Sequence, residues 1–91
     1  MLRLEISKRF KKSLKKYKNN KKVLQELELV IDLLIFEKKL PVKYKDHELT
    51  GNLKTIRECH LKPDALLLYF VISEQEILKL YDLGSHSDVF G

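Results

Sequence analysis

One cysteine, three glycines and two prolines are all that 91 residues contain of those types, and each scarcity excludes something. Cys59 alone can form no internal disulfide, which fits a reducing cytoplasm. So few glycines and prolines, beside an apolar fraction of 44%, do not describe a linker, a low-complexity tail or a disordered segment. No apolar run approaches the roughly 20 residues that a membrane-spanning helix needs. The start, Met1-Leu2-Arg3-Leu4-Glu5, puts charge where a signal peptide would put its apolar stretch, which argues against secretion. The expectation is a single cytoplasmic domain over residues 1–91 with one core and no membrane partner.

Acidic residues are scarce in one place. Residues 1–22 hold ten basic side chains against Glu5 alone, a local charge of +9, whereas residues 23–91 carry −4. A positive field so concentrated attracts phosphate backbones or an acidic partner protein. The bland alternative is a solvated, solubilising helix face.

Hydropathy patterning organises the rest. Leu2, Leu4 and Ile6 alternate with Arg3 and Glu5 as in a half-buried strand, and the Ser7 hydroxyl is placed to cap a helix. Phe10, Leu14 and Tyr17 recur at helical spacing with lysines opposite, and Asn19-Asn20 breaks that helix. A second helix is expected over about 21–38, apolar at Val23, Leu24, Leu27, Val30, Ile31, Leu34 and Ile35 and wet at Glu26, Glu28 and Asp32. Pro41 then opens a loop over 41–52 that carries His47 and closes on Gly51-Asn52. Strands are expected near 53–60, 65–72 and 76–83, the middle one apolar on both faces as a central strand is, with Ser73-Glu74-Gln75 joining the last two. Gly84 ends the last strand and leaves a C-terminal tail. The order β-α-α-β-β-β predicts an α+β fold: an N-terminal strand, an antiparallel helix pair and a three-stranded antiparallel meander, with the helices on one face of the sheet.

All three histidines, His47, His60 and His86, fall in short polar segments of the second half. An imidazole exchanges protons near neutrality. Cleavage of RNA without a metal needs a base for the ribose 2′-hydroxyl, an acid for the leaving 5′-oxygen and positive charge for the phosphorane. His47, His60 and His86 can share the proton transfers. Asp64 is a candidate base, or a group that fixes a histidine tautomer. Lys45, Lys54, Arg57 and Lys62 are candidates to hold phosphate, Arg57 with the best-shaped fork, and Phe90 or Tyr44 to stack on a base. Strand parity sets Arg57 and His60 on opposite faces unless their strand bulges or twists there, a problem that Asp64 avoids because the Pro63 turn precedes it. A metal site is the rival use of two histidines and Asp64, but no compact His-Glu-x-x-His spacing supports it. No nucleophile elbow surrounds Ser73, Ser85 or Ser87, so a Ser-His-Asp hydrolase is a poorer reading still.

The segments Tyr44-Lys45-Asp46-His47-Glu48-Leu49-Thr50-Gly51, Arg57-Glu58-Cys59-His60-Leu61-Lys62-Pro63-Asp64 and Leu83-Gly84-Ser85-His86-Ser87-Asp88-Val89-Phe90 together resemble the YafQ branch of the RelE/ParE toxins of type II toxin–antitoxin pairs. The likeness runs over essentially the whole chain. It implies a ribosome-dependent endoribonuclease that cuts messenger RNA in the decoding site without a cofactor. It also implies a cognate antitoxin that blocks the toxin, the complex repressing its own operon through operator DNA. By position, His47, His60, Asp64 and His86 match the acid–base group and Phe90 the aromatic at the substrate. Lys11, Lys12, Lys15 and Lys16 would suit ribosomal RNA. Two positions depart from the pattern: Asp82 stands where relatives usually place an arginine, and Ala65 where they carry an aromatic. A carboxylate at a phosphate transition state would repel it, so Asp82→Arg is expected to speed cleavage. Asp82 also favours an alternative, a catalytically weak member acting as an antitoxin- and operator-binding co-repressor. A third reading is a plain RNA-binding module.

Overall fold

The computed structural model describes residues 1–51 and 55–91. Lys54, Asn52 and the first residues of the strand expected near 53–60 therefore lie outside the described residues.

Strand β1 (Arg3–Ile6) is followed by helix α1 (Lys8–Leu14), a 3-10 turn at Lys15–Tyr17, and helix α2 (Lys21–Ile35). Both helices start on the residues that the sequence marks. The Ser7 hydroxyl accepts from the Phe10 amide at 2.9 Å, and the Asn20 side chain accepts from the Val23 amide at 3.1 Å, each satisfying one of the donors a helix start leaves open. Helix α2 stops three residues before the expected Lys38. Glu37 takes a left-handed φ of 57°, its amide bonds the Leu34 carbonyl, and the Lys38 amide bonds that of Leu33. That is a Schellman closure built without glycine, so no stop signal was visible.

After a 3-10 turn at Val42–Tyr44 come β2 (His47–Glu48), β3 (Arg57–Lys62), β4 (Ala65–Ile72), β5 (Ile77–Gly84) and a last helix α3 (His86–Phe90). The sheet runs β1-β5-β4-β3-β2. The meander β3-β4-β5 is antiparallel as expected, and β1 joins β5 in parallel, Arg3 opposite Ile77. The α+β class holds, with three corrections. His47 lies in a short edge strand rather than a loop, paired with Glu58. The C-terminal segment is helical rather than a tail. The helices are also not confined to one face.

The two faces are set by alternation along β4. Ala65, Leu67 and Tyr69 join Phe10, Val23, Leu27, Val30 and Leu34 of α1 and α2 in the main core. Leu66 and Leu68 point the other way, into a smaller core with Ile56 and Val89 of α3. Val89 seats α3 there, and Gly84 allows it to come close: a Cβ at position 84 would lie 2.8 Å from that of Asp88. Burial on both faces explains why β4 carries no polar side chain over Ala65–Leu68.

Candidate active site

Regular alternation runs through the first half of β3. Arg57 lies opposite Tyr69 and Cys59 opposite Leu67, on the face of α1 and α2; Glu58 lies opposite Leu68 and His60 opposite Leu66, on the face of α3. The pairing of β2 with β3 sets His47 directly opposite Glu58. Three side chains therefore meet on the smaller face. Glu58 is 6% exposed, and its Oε1 lies 3.5 Å from His47 Nε2 and 3.2 Å from His60 Nε2. The two rings stand 6.4 Å apart. His47 Nδ1 is 2.7 Å from the Lys45 carbonyl oxygen. A carbonyl only accepts, so Nδ1 carries a proton there and Nε2 is the nitrogen left for exchange.

Glu58 was not foreseen. The signal was its place two residues before His60 in a strand, which puts both on one face; a carboxylate there gains from an imidazole partner what it loses in hydration.

The remaining candidates are distributed as follows. His86 opens α3, exposed, its ring centroid 4.9 Å from that of Phe90 one turn later. The helix it stands on packs through Val89 against Leu66, the residue opposite His60, so His86 and Phe90 share the sheet face of His47 and His60. Among the described residues no hydrogen bond or ion pair joins His86 to them. Asp64 lies exposed at the Pro63-Asp64 turn, lining a recess of about 530 Å³ with Tyr17, Lys22, Lys62, Ser85 and Asp88 rather than touching a histidine. Lys45 and Lys62 line a second recess, beside His60.

Arg57 has other work. Its Nε and Nη2 bond the Asp46 carboxylate, at 2.9 Å for the closer nitrogen, its Nη1 lies 3.5 Å from Glu48, and the Tyr69 hydroxyl donates to Asp46 as well. The Asp46 bond, above the other causes, raises the Arg57 pKa beyond its ordinary value. Its fork is committed, on the face away from His60, and it ties the segment before β2 to the sheet.

Asp82 is likewise spoken for. Arg9 Nε donates to its Oδ2 at 2.7 Å, and the Ser13 hydroxyl and the Leu83 amide donate to its Oδ1 at 2.7 and 2.8 Å. It locks α1 to β5. Alternation in β5 with Leu78 and Leu80 sets its side chain on the α1 face, and a register shift passes Tyr81 over between the Tyr69–Leu80 and Leu68–Asp82 pairs.

Cys59 is buried among the helix-side core residues, and burial above all pushes its thiol up to about 12, so it supplies no thiolate near neutrality. For a metal, His47, His60 and Glu58 are the nearest set of donors, yet both nitrogens converge on a single carboxylate oxygen. Among the described residues no group of three or more His, Cys, Asp or Glu is arranged to hold an ion.

The chain thus carries two imidazoles and a carboxylate on the less covered face of a five-stranded mixed sheet. Residues 2–91 match the family described as a bacterial toxin of type II toxin–antitoxin system, YafQ, and the chain belongs to that family. It is 33% identical to the mRNA interferase toxin YafQ of Escherichia coli K12, over 97% of this chain and 95% of that protein. A crystal structure of a metal-bound toxin from Helicobacter pylori superposes with a TM-score of 0.91 at 49% identity, covering 99% of this chain and all of that one. YafQ in the E. coli DinJ–YafQ complex superposes at 0.86 with 32% identity, covering 100% of both chains.

Proposed function

We propose that this toxin is a ribosome-dependent endoribonuclease that cuts messenger RNA by proton transfer through its histidines, without a metal. The observation that carries the reading is the pair of imidazoles, His47 and His60, held on one face over the Glu58 carboxylate. One can take the proton of the 2′-hydroxyl while the other delivers a proton to the 5′-oxygen, the two steps that transesterification needs. His86 is a third carrier on the same face, with Phe90 positioned to stack on a base. Asp64 acts at the entrance to the site, and the exposed Lys11, Lys12, Lys15 and Lys16 face ribosomal RNA. Lys45 and Lys62 hold the substrate backbone; Arg57 contributes by fixing Asp46. The E. coli YafQ is solved bound to DinJ, and we propose that a cognate antitoxin likewise restrains this chain, the pair binding operator DNA.

The H. pylori relative binds a metal, so the proposal makes a definite claim about metal in this chain. Cleavage of mRNA on programmed ribosomes is expected to persist with a zinc- and copper-selective chelator, magnesium being kept for the ribosome, and to fall by about 10²-fold or more in His60→Ala. Loss of cleavage on chelation, restored by one equivalent of metal, would contradict the metal-free route; full activity of a folded His60→Ala would contradict the acid–base one.

A further inference from the structure

The turn that delivers His47 to the acid–base face has a second side. Tyr44 is buried and its hydroxyl donates to Glu26 of α2, so α2 fixes the middle of the turn. The flanking Lys43 and Lys45 line a recess of about 370 Å³ together with Glu26, His60 and Lys62. Three amines and one carboxylate thus converge on a cleft that an acid–base histidine also lines. Lys43 Nζ lies 4.0 Å from Glu26 Oε2, at the limit of an ion pair and mostly exposed, where attraction is weak. Among the described residues Lys45 and Lys62 have no carboxylate within that distance. Nothing in the sequence singles out Lys43, and helical spacing puts Glu26 on the wet side of α2.

We propose that this recess is a phosphate subsite of the nuclease: it grips the RNA backbone phosphate next to the scissile one through Lys43, Lys45 and Lys62, and Glu26 opposes that grip. The proposal rests on the endoribonuclease reading and extends it to where the strand runs. A ribose-phosphate unit fits the volume, and the lysines make non-directional contacts that follow any sequence. His60 links the recess to the reacting bond, so a phosphate seated there brings its neighbour over the His47–His60 pair. Glu26 is turned toward Lys43, and the Tyr44 bond, above the other causes, keeps its carboxyl below the usual range, so near neutrality it is an anion that an arriving phosphate must displace.

The test uses a tetraribonucleotide with every 2′-hydroxyl methylated, which binds but cannot be cleaved. Its dissociation constant is measured against salt for the parent, Lys43→Gln, Lys62→Gln, Glu26→Gln and the remote control Glu28→Gln. Gln at 26 still accepts the Tyr44 hydroxyl, so the fold is kept. Lys43→Gln and Lys62→Gln are expected to weaken binding about three- to tenfold and to lower the salt slope by about 0.7 each, one released counterion per contact on a single strand. Glu26→Gln is expected to tighten binding about threefold, well beyond Glu28→Gln, which removes the same charge elsewhere. Amide shifts in labelled protein should map to residues 43–45 and 60–62. Parent-like affinity of Lys43→Gln, equal effects of Glu26→Gln and Glu28→Gln, or shifts confined to the α1 lysines would each overturn the subsite. The methylated probe reports binding whether or not the protein cuts RNA. A parent that binds it in the recess but leaves mRNA intact refutes the nuclease reading alone; one that cuts mRNA but fails these comparisons refutes the subsite alone.

Discussion

Asp82 has 3% of its surface exposed and three donors on its two oxygens. A buried carboxylate so paired costs most when its charge is reversed, because Arg9 and the Ser13 hydroxyl then face a cation. Asp82→Arg is predicted to destabilise the fold by about 2–4 kcal/mol, less than a fully buried pair because Arg9 is half exposed. It is also predicted not to speed cleavage. A lower urea midpoint at unchanged slope would agree with this; an unchanged midpoint, or faster cleavage, would return Asp82 to the active site. The weak-enzyme alternative rested on Asp82 repelling a phosphate, and its bonds to α1 remove that ground. His47, His60, His86 and Phe90 were legible as candidates only, since polar segments with imidazoles stand out in a chain otherwise organised by apolar spacing. Glu58 and Asp46 were not, because a carboxylate in a strand or turn looks solvated until the register shows which partner it meets.

At the scale of elements, α3 is held by short-range bonds. Ser85 accepts from the Asp88 amide at 3.1 Å, and Asp88 accepts from the Ser85 amide at 3.1 Å, a capping box on a helix of five residues. The sequence Ser85-His86-Ser87-Asp88 held that signal, but so short a helix reads as a tail unless something packs it, and the packing partner Leu66 is 23 residues away. The Ser85 amide, and next its hydroxyl, hold the Asp88 carboxyl below its usual value. A depressed folded value favours the folded state above the ordinary carboxylate pKa, near 4, and that contribution disappears as pH falls through the depressed value. The α3 amides are accordingly predicted to lose protection from hydrogen exchange as pH falls below about 4, before the amides of β4. Ser85→Ala is predicted to produce the same loosening at neutral pH, at about 1 kcal/mol. Equal protection in α3 and β4 across that range would contradict both.

Over the whole molecule, the topology divides labour between two sheet faces. Helices α1 and α2 cover one face and build the core, while the other is only partly covered by α3 and leaves His47 exposed and His60 partly so, over the buried Glu58. Alternation in β4 made the central strand legible, down to its bounds at Ala65–Ile72. Which face each helix covers was not, because the side of a crossing is decided by long-range pairing such as that of β1 with β5. Among the described residues no helix is long and apolar enough to cross a membrane, and the basic α1 lies exposed on the side of the core. The central claim is attack by the ribose 2′-hydroxyl under histidine acid–base catalysis, and the ends of the cut RNA test it most directly. A single mRNA is cleaved on programmed ribosomes, with and without a 2′-deoxy sugar at the scissile position, and the fragments are weighed. A 2′,3′-cyclic phosphate on the upstream fragment and no cleavage of the 2′-deoxy substrate are expected. A 3′-hydroxyl with a 5′-phosphate, or a 2′-deoxy substrate cut as fast as the parent, would contradict that claim.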